Sequence, residues 1–143
     1  MIRLESTPHN INKDAVKDAL YLDKILFPSD TRSKLKESYV WVVRHRRKPV
    51  GFAGLKLFQK PGEVYGMLSR AGILPTHEGR GLHKKLIRKR LALCSSLGLK
   101  RIISYTLVDN YISANNLIRC GFKLYWPDPP WAGSKSIYWV KYL

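Results

Sequence analysis

Residues 1–6 alternate as a short strand does. From Asn12, a candidate N-cap, the apolar residues Ala15, Val16, Ala19, Leu20, Leu22, Ile25 and Leu26 recur at helical spacing. Phe27-Pro28-Ser29-Asp30 breaks that helix, and Asp30 is placed to cap a short second helix running to Lys36. Three aromatic and β-branched stretches follow at 39–43, 50–58 and 64–74. Short turns join them, which predicts an antiparallel meander. After a loop over 75–81, Leu82, Leu86, Ile87, Leu91, Leu93, Cys94 and Leu97 mark an amphipathic helix that Gly98 closes. A strand over 101–107 turns at Asp109-Asn110 into a short helix ending at Cys120-Gly121. Strands over 122–126 and 136–143 flank the stiff run Pro127-Asp128-Pro129-Pro130. The predicted order is β-α-α-β-β-β-α-β-α-β-β, a mixed α/β (α+β) architecture in one domain spanning 1–143.

Charge changes the picture most. Lys and Arg number 26 against 10 Asp and Glu, a net charge of +16. That imbalance favours an acidic partner such as RNA, a phosphate-rich cofactor or an acidic surface. Two cysteines, Cys94 and Cys120, exclude a disulfide framework and read as inert core thiols. His9, His45, His77 and His83 have no metal-ligand spacing, so no metal is expected. No apolar run reaches the roughly 20 residues of a membrane helix. Residues 1–8 lack the apolar core of a signal peptide, so the expected location is cytoplasmic and no membrane partner is expected.

The chemistry-bearing stretch runs from Ile73 to Ile87. A strand enters Pro75-Thr76-His77-Glu78-Gly79-Arg80-Gly81, and a helix begins at once. Helix N-termini bind anions through free N–H groups, and glycine admits a phosphate close to the main chain. Alone, this reads equally as a tight turn before a basic helix face. A second stretch, from Asn110 to Phe122, follows the next strand. Together the two resemble the GCN5-related N-acetyltransferases, the GNAT superfamily. Pro75, Gly79, Gly81 and Leu86 match its V-x-P-x-x-R-G-x-G-I-G-x-x-L pattern. Asn110, Ser113, Gly121 and Phe122 match its N-x-x-S/A to G-F pattern, and Val50-Gly51-Phe52-Ala53-Gly54 is typical of its third strand. The resemblance covers nearly the whole chain, most closely the short bacterial and phage members. It departs at Glu78 (usually Arg or Gln), at His83 (usually Gly or Ala) and at Leu117, where many members carry the general-acid Tyr.

The resemblance implies a mixed, mostly antiparallel sheet of about seven strands with helices on both faces. It implies acetyl-CoA (coenzyme A) as donor and an amine as acceptor. The pyrophosphate would lie on Glu78, Gly79, Arg80, Gly81, Leu82, His83 and Lys84. Pantetheine would lie along Ala71, Gly72 and Ile73, with Gly72 marking a bulge, and on Asn110, with Asn116 grouped beside it. Asn110 reads equally as the N-cap of its helix. Side-chain catalysis falls to Glu63, Tyr65 and Ser113. Glu63 is either a base acting through water or a solvated turn residue; Tyr65 an acid or a packing aromatic; Ser113 a proton relay or a capping residue. The loop over 126–133 is expected to wall the acceptor site or to close the sheet end.

Basic residues concentrate at Arg80, Lys84, Lys85, Arg88, Lys89, Arg90, Lys100 and Arg101, and again at Arg44–Lys48. The first cluster surrounds the expected cofactor helix; the second is a solvated turn or an interaction patch. Three functions fit: an N-acetyltransferase of a small or protein amine, an acetyltransferase of an RNA-borne amine such as aminoacyl-tRNA, or a non-catalytic basic binding module. A homodimer is compatible with the family resemblance.

Overall fold

The computed structural model describes residues 2–7, 13–31, 35 and 38–143, and only the backbone of 2–7 and 13. The elements are β1 (Ile2–Thr7), α1 (Lys13–Leu26), β2 (Tyr39–His45), β3 (Lys48–Lys60), β4 (Glu63–Ile73), α2 (Leu82–Ser96), β5 (Arg101–Leu107), α3 (Tyr111–Arg119), β6 (Lys123–Tyr125) and β7 (Ser136–Tyr142). Asn12 and most of the second helix expected over 30–36 lie outside the described residues. The other elements follow the predicted order. The seven strands hydrogen bond in the order β1-β2-β3-β4-β5-β7-β6. The β1–β2, β2–β3, β5–β7 and β6–β7 pairs are antiparallel. β4 and β5 pair in parallel and only briefly, Gly66 with Ile102 and Met67 with Ile103. No helix among the described residues is long and apolar enough to cross a membrane.

Contacts gather in two compact units, Met1–Lys56 with Ser69–Leu86, and Leu57–Leu68 with Ile87–Leu143. In the first, Ala15, Ala19 and Leu22 of α1 pack with Val40, Val42, Phe52 and Leu35. Asp14 and Lys24 sit at the α1 ends where each sign suits the helix dipole. The missing side chain of Gly72 makes this packing fit: a Cβ there would lie 2.7 Å from Leu26 Cδ1 and 3.2 Å from Phe27 Cε2. Packing against the end of α1 therefore accounts for glycine at 72. On the same strand, Arg70 donates to the fully buried Asp23 at 2.8 Å, lies 3.4 Å from Asp30 and stacks over Phe27 at 4.7 Å.

The β2–β3 turn is tighter than the sequence predicts. Arg46 and Arg47 alone form it, with φ of 50° and 70°, and Lys48 already pairs with His45. Two positive φ values are what a two-residue hairpin with the native strand twist demands. A register shift between Val43 and Arg44 absorbs the offset.

In the second unit, Tyr65, Ile103 and Val140 form a core with Phe58, Met67 and Tyr125 packed against it. Gly98 (φ 74°) ends α2, and the N–H of Leu99 reaches back to the carbonyl of Cys94, as helix C-termini with glycine do. The buried indole of Trp139 is satisfied by Thr106 Oγ1 at 2.9 Å. The helix α2 brings one correction. Leu82, Leu86, Arg90 and Cys94 form one row at four-residue spacing, and the whole row is buried. Arg90 is thus an interior cation, not part of the basic surface, and burial lowers its pKa to about 10.

Candidate active site

In the first unit, β4 hands over to the helix α2 through a shaped loop. The Leu74 N–H bonds the carbonyl of Val50 at 2.8 Å, the last link to the neighbouring strand. Pro75–His77 makes one 3-10 turn, and Glu78 follows in extended conformation. Gly79 and Gly81 both take positive φ, 77° and 74°, and a Cβ on either would meet nothing within 4 Å. The loop is therefore an open cradle, lined by main chain, at the start of a 15-residue helix. First-turn N–H groups have no intrahelical partner, and the helix dipole adds positive potential. Glu78, Gly79, Arg80 and Gly81 are exposed, His83 and Lys84 half-buried, and Leu82 turned into the core. A loop of this kind can accept an anion on its main-chain N–H groups.

The turn before the cradle is tied to the β2–β3 hairpin. Nδ1 of His45 and Nε2 of His77 share a hydrogen bond of 2.7 Å, and Thr76 Oγ1 lies 2.8 Å from Nδ1 of His77. Burial, followed by nearby positive charge including His77, Arg46 and Arg80, holds His45 below the usual histidine pKa. Arg44 is bonded to Asp18 at 2.7 Å. Of the basic run 44–48, only Arg46, Arg47 and Lys48 remain exposed. Ala71 is half-buried, and Gly72 and Ile73 are buried.

In the second unit, Asn110 caps α3: its side-chain oxygen accepts the N–H of Ser113 at 3.2 Å. Asn116 accepts the N–H of Cys120 on its main-chain carbonyl at 3.1 Å. Leu117 is buried in the apolar face of α3. Glu63 and Tyr65 meet at Arg101. Glu63 Oε2 accepts from Arg101 Nε at 2.8 Å, and the guanidinium lies 4.3 Å above the Tyr65 ring. That bond holds the Glu63 carboxyl below its ordinary pKa and raises Arg101. Glu63 is thus neither a solvated turn residue nor an unengaged base. The thiol of Cys94 is pushed up to about 11 by burial, so it has no nucleophilic character near neutrality.

The same unit contains a cavity of about 770 Å³. Phe58, Tyr65, Met67, Ile103, Tyr105 and Trp131 supply its apolar walls; Lys60 and Arg101 supply its cations, and Asp128 its lining carboxylate. Phe58 stacks on Tyr65 at 5.5 Å, and Trp131 meets Tyr105 edge-on at 5.5 Å. Trp131 Nε1 donates to Tyr125 Oη at 2.8 Å, and the Tyr138 hydroxyl bonds both the N–H and the carbonyl of Ala132. These bonds fix the loop before β7 in place. Strand alternation puts Tyr65 and Met67 on one face of β4, and Arg101, Ile103 and Tyr105 on one face of β5, and all five line the cavity. No group of three or more metal-ligating side chains occurs among the described residues.

The model of the Acetyltransferase (GNAT) family matches residues 6–122. The chain belongs to the GNAT family. The GNAT fold is also found in the solved structures it resembles. The NatC complex bound to Gag peptide and CoA is 15% identical, with 99% of this chain and 98% of that chain covered and a TM-score of 0.81. Arabidopsis thaliana NAA60 in complex with acetyl-CoA is 14% identical, with 100% and 99% covered and a TM-score of 0.79. A GNAT acetyltransferase from Streptococcus pneumoniae is 14% identical, with 100% and 99% covered and a TM-score of 0.75. At these identities the likeness is one of fold. No curated protein sequence matches the chain.

Proposed function

We propose that this GNAT chain is an acetyl-CoA-dependent N-acetyltransferase whose acceptor is a primary amine. The observation that carries the reading is the cradle at Gly79 and Gly81, open to any ligand atom and closed on one side by the start of α2. It fits a pyrophosphate by main-chain donors alone, so Glu78 and His83 do not spoil it. Glu78, Arg80, Leu82, His83 and Lys84 complete that segment, and Ala71, Gly72 and Ile73 offer main chain to a pantetheine arm. Asn110, its oxygen spent on the cap, has its amide N–H groups left to donate to a ligand, and Asn116 stands one turn beyond Ser113 on α3. Bound acetyl-CoA supplies an activated thioester. An amine nitrogen replaces sulfur on the acetyl carbon, and its surplus proton ends on the released thiol.

The chain's own part is to bind, orient and keep the amine neutral. Glu63 is a weak base because Arg101 holds it, and Leu117 offers no acid. Apolar walls with Lys60 and Arg101 nearby lower the pKa of an amine brought against them, which does the work of a base. Tyr65 and Ser113 are then positioning residues. Calorimetric titration of acetyl-CoA and CoA tests the reading. Binding followed by amine-dependent thiol release is expected; absence of binding in a folded sample free of copurified CoA overturns it.

A second reading, an amine carried on RNA, is favoured by the exposed Arg46-Arg47-Lys48 turn and the charge of +16. It requires RNA affinity that falls steeply with salt.

A further inference from the structure

We infer that the cavity of the second unit receives a bulky apolar group of aromatic size on the acceptor amine, and that this acceptor bears no second cation. The inference deepens the acetyltransferase reading and rests on it. At about 770 Å³ the cavity has the size of a small-molecule site. Its walls are ring faces and edges, from Phe58 on Tyr65 and from Trp131 against Tyr105, which suit a flat apolar body. Trp131 and Ala132 are already bonded to Tyr125 and Tyr138, so the wall is rigid and little ordering is left for the ligand to impose.

Charge narrows the class further. Two lining cations, Lys60 and Arg101, face one lining carboxylate, Asp128. Arg101 also has Glu63 as partner, through Nε. A polyamine or a lysine-rich tail would meet like charge and lose hydration against rings. A monoamine with an aromatic body meets these costs only at the reacting nitrogen, where they favour the neutral amine the reaction needs. Its source is either a free arylalkylamine or the amino terminus of a peptide that begins with an aromatic residue.

The test measures thiol release from acetyl-CoA with phenethylamine, ethanolamine, spermidine and a short peptide beginning with Phe. Wild type is compared with Trp131→Ala and with Tyr105→Ala, a change at a half-exposed site that leaves the loop bonds intact. An aromatic acceptor is expected to exceed ethanolamine and spermidine in kcat/KM by about ten-fold or more. That ratio is expected to fall toward one in both variants while acetyl-CoA affinity stays unchanged. A faster free amine assigns a small-molecule acceptor and a faster peptide assigns a protein amino terminus; either supports the inference. Preference for ethanolamine or spermidine, with acetyl-CoA bound normally, overturns the inference and leaves the acetyltransferase reading standing. If acetyl-CoA does not bind, that reading fails separately. Saturation-transfer NMR with phenethylamine then decides the cavity: transfer lost in Trp131→Ala supports it, and no transfer to wild type overturns it.

Discussion

The guanidinium of Arg101 is clamped between Glu63, 2.8 Å from its Nε, and the face of Tyr65, 4.3 Å below. The clamp predicts a pH effect with a definite sign. Glu63 has a folded pKa below its ordinary 4.5, chiefly through the Arg101 bond. Its stabilisation is present above about pH 4.5 and is lost as pH falls through the lowered value. Glu63→Gln should flatten the acid limb of Tm against pH and raise the KM for amine, with acetyl-CoA affinity unchanged. An unaltered acid limb would remove the clamp from the account.

The His45–His77 bond carries the second prediction. A ring–ring hydrogen bond needs one neutral lone pair, so it fails when both imidazoles are charged. His45 is held below the usual 6.5, so the unfolded chain binds the proton first. Stability from this contact is full above about pH 6.5 and declines as pH drops through the folded value. His45→Gln should lessen the loss of Tm between neutral pH and pH 5. The same slope in both proteins would count against the pair.

Gly81 separates backbone strain from charge. With φ at 74° and open space around a Cβ, Gly81→Ala should cost only about 1 kcal/mol of conformational energy. Gly81→Asp adds a carboxylate at the anion cradle. It should weaken CoA binding by about ten-fold or more beyond the alanine variant. Equal affinity of the two folded variants, read by calorimetry, would place the phosphates elsewhere.

Arg70 supports the fully buried carboxylate of Asp23. Breaking such a buried pair costs about 3–5 kcal/mol, and less where the carboxylate keeps other contacts, as Asp23 does. Arg70→Met should lower stability by about 3 kcal/mol in urea unfolding, near the bottom of that range because Arg70 itself is partly exposed. A change under about 1 kcal/mol would show that Arg70 contributes little to holding the Asp23 carboxylate.

What could be read from the sequence was what depends on neighbours in the chain. The apolar period of α1 and α2, the Gly98 stop, the Asn110 cap and the glycines at 79 and 81 are all local signals. The turn over 46–49 is legible, but not its two-residue tightness, because that backbone usually calls for Asn-Gly and two arginines give no such sign. Arg90 was placed on the surface because charge outweighed its place in the 82-86-90-94 row. The Glu63–Arg101 and His45–His77 contacts join residues 38 and 32 positions apart. They exist only once strand order is known, and so does the aromatic cavity.

The two cysteines have a practical consequence. Cys94 and Cys120 are both buried, and Cys94 holds its proton to about pH 11. A chromogenic disulfide reagent reacts with thiolates it can reach. In the folded protein it will register each CoA set free against a nearly silent polypeptide. Colour that develops before any amine is added will report unfolding instead, so one cuvette reads both turnover and integrity of the core.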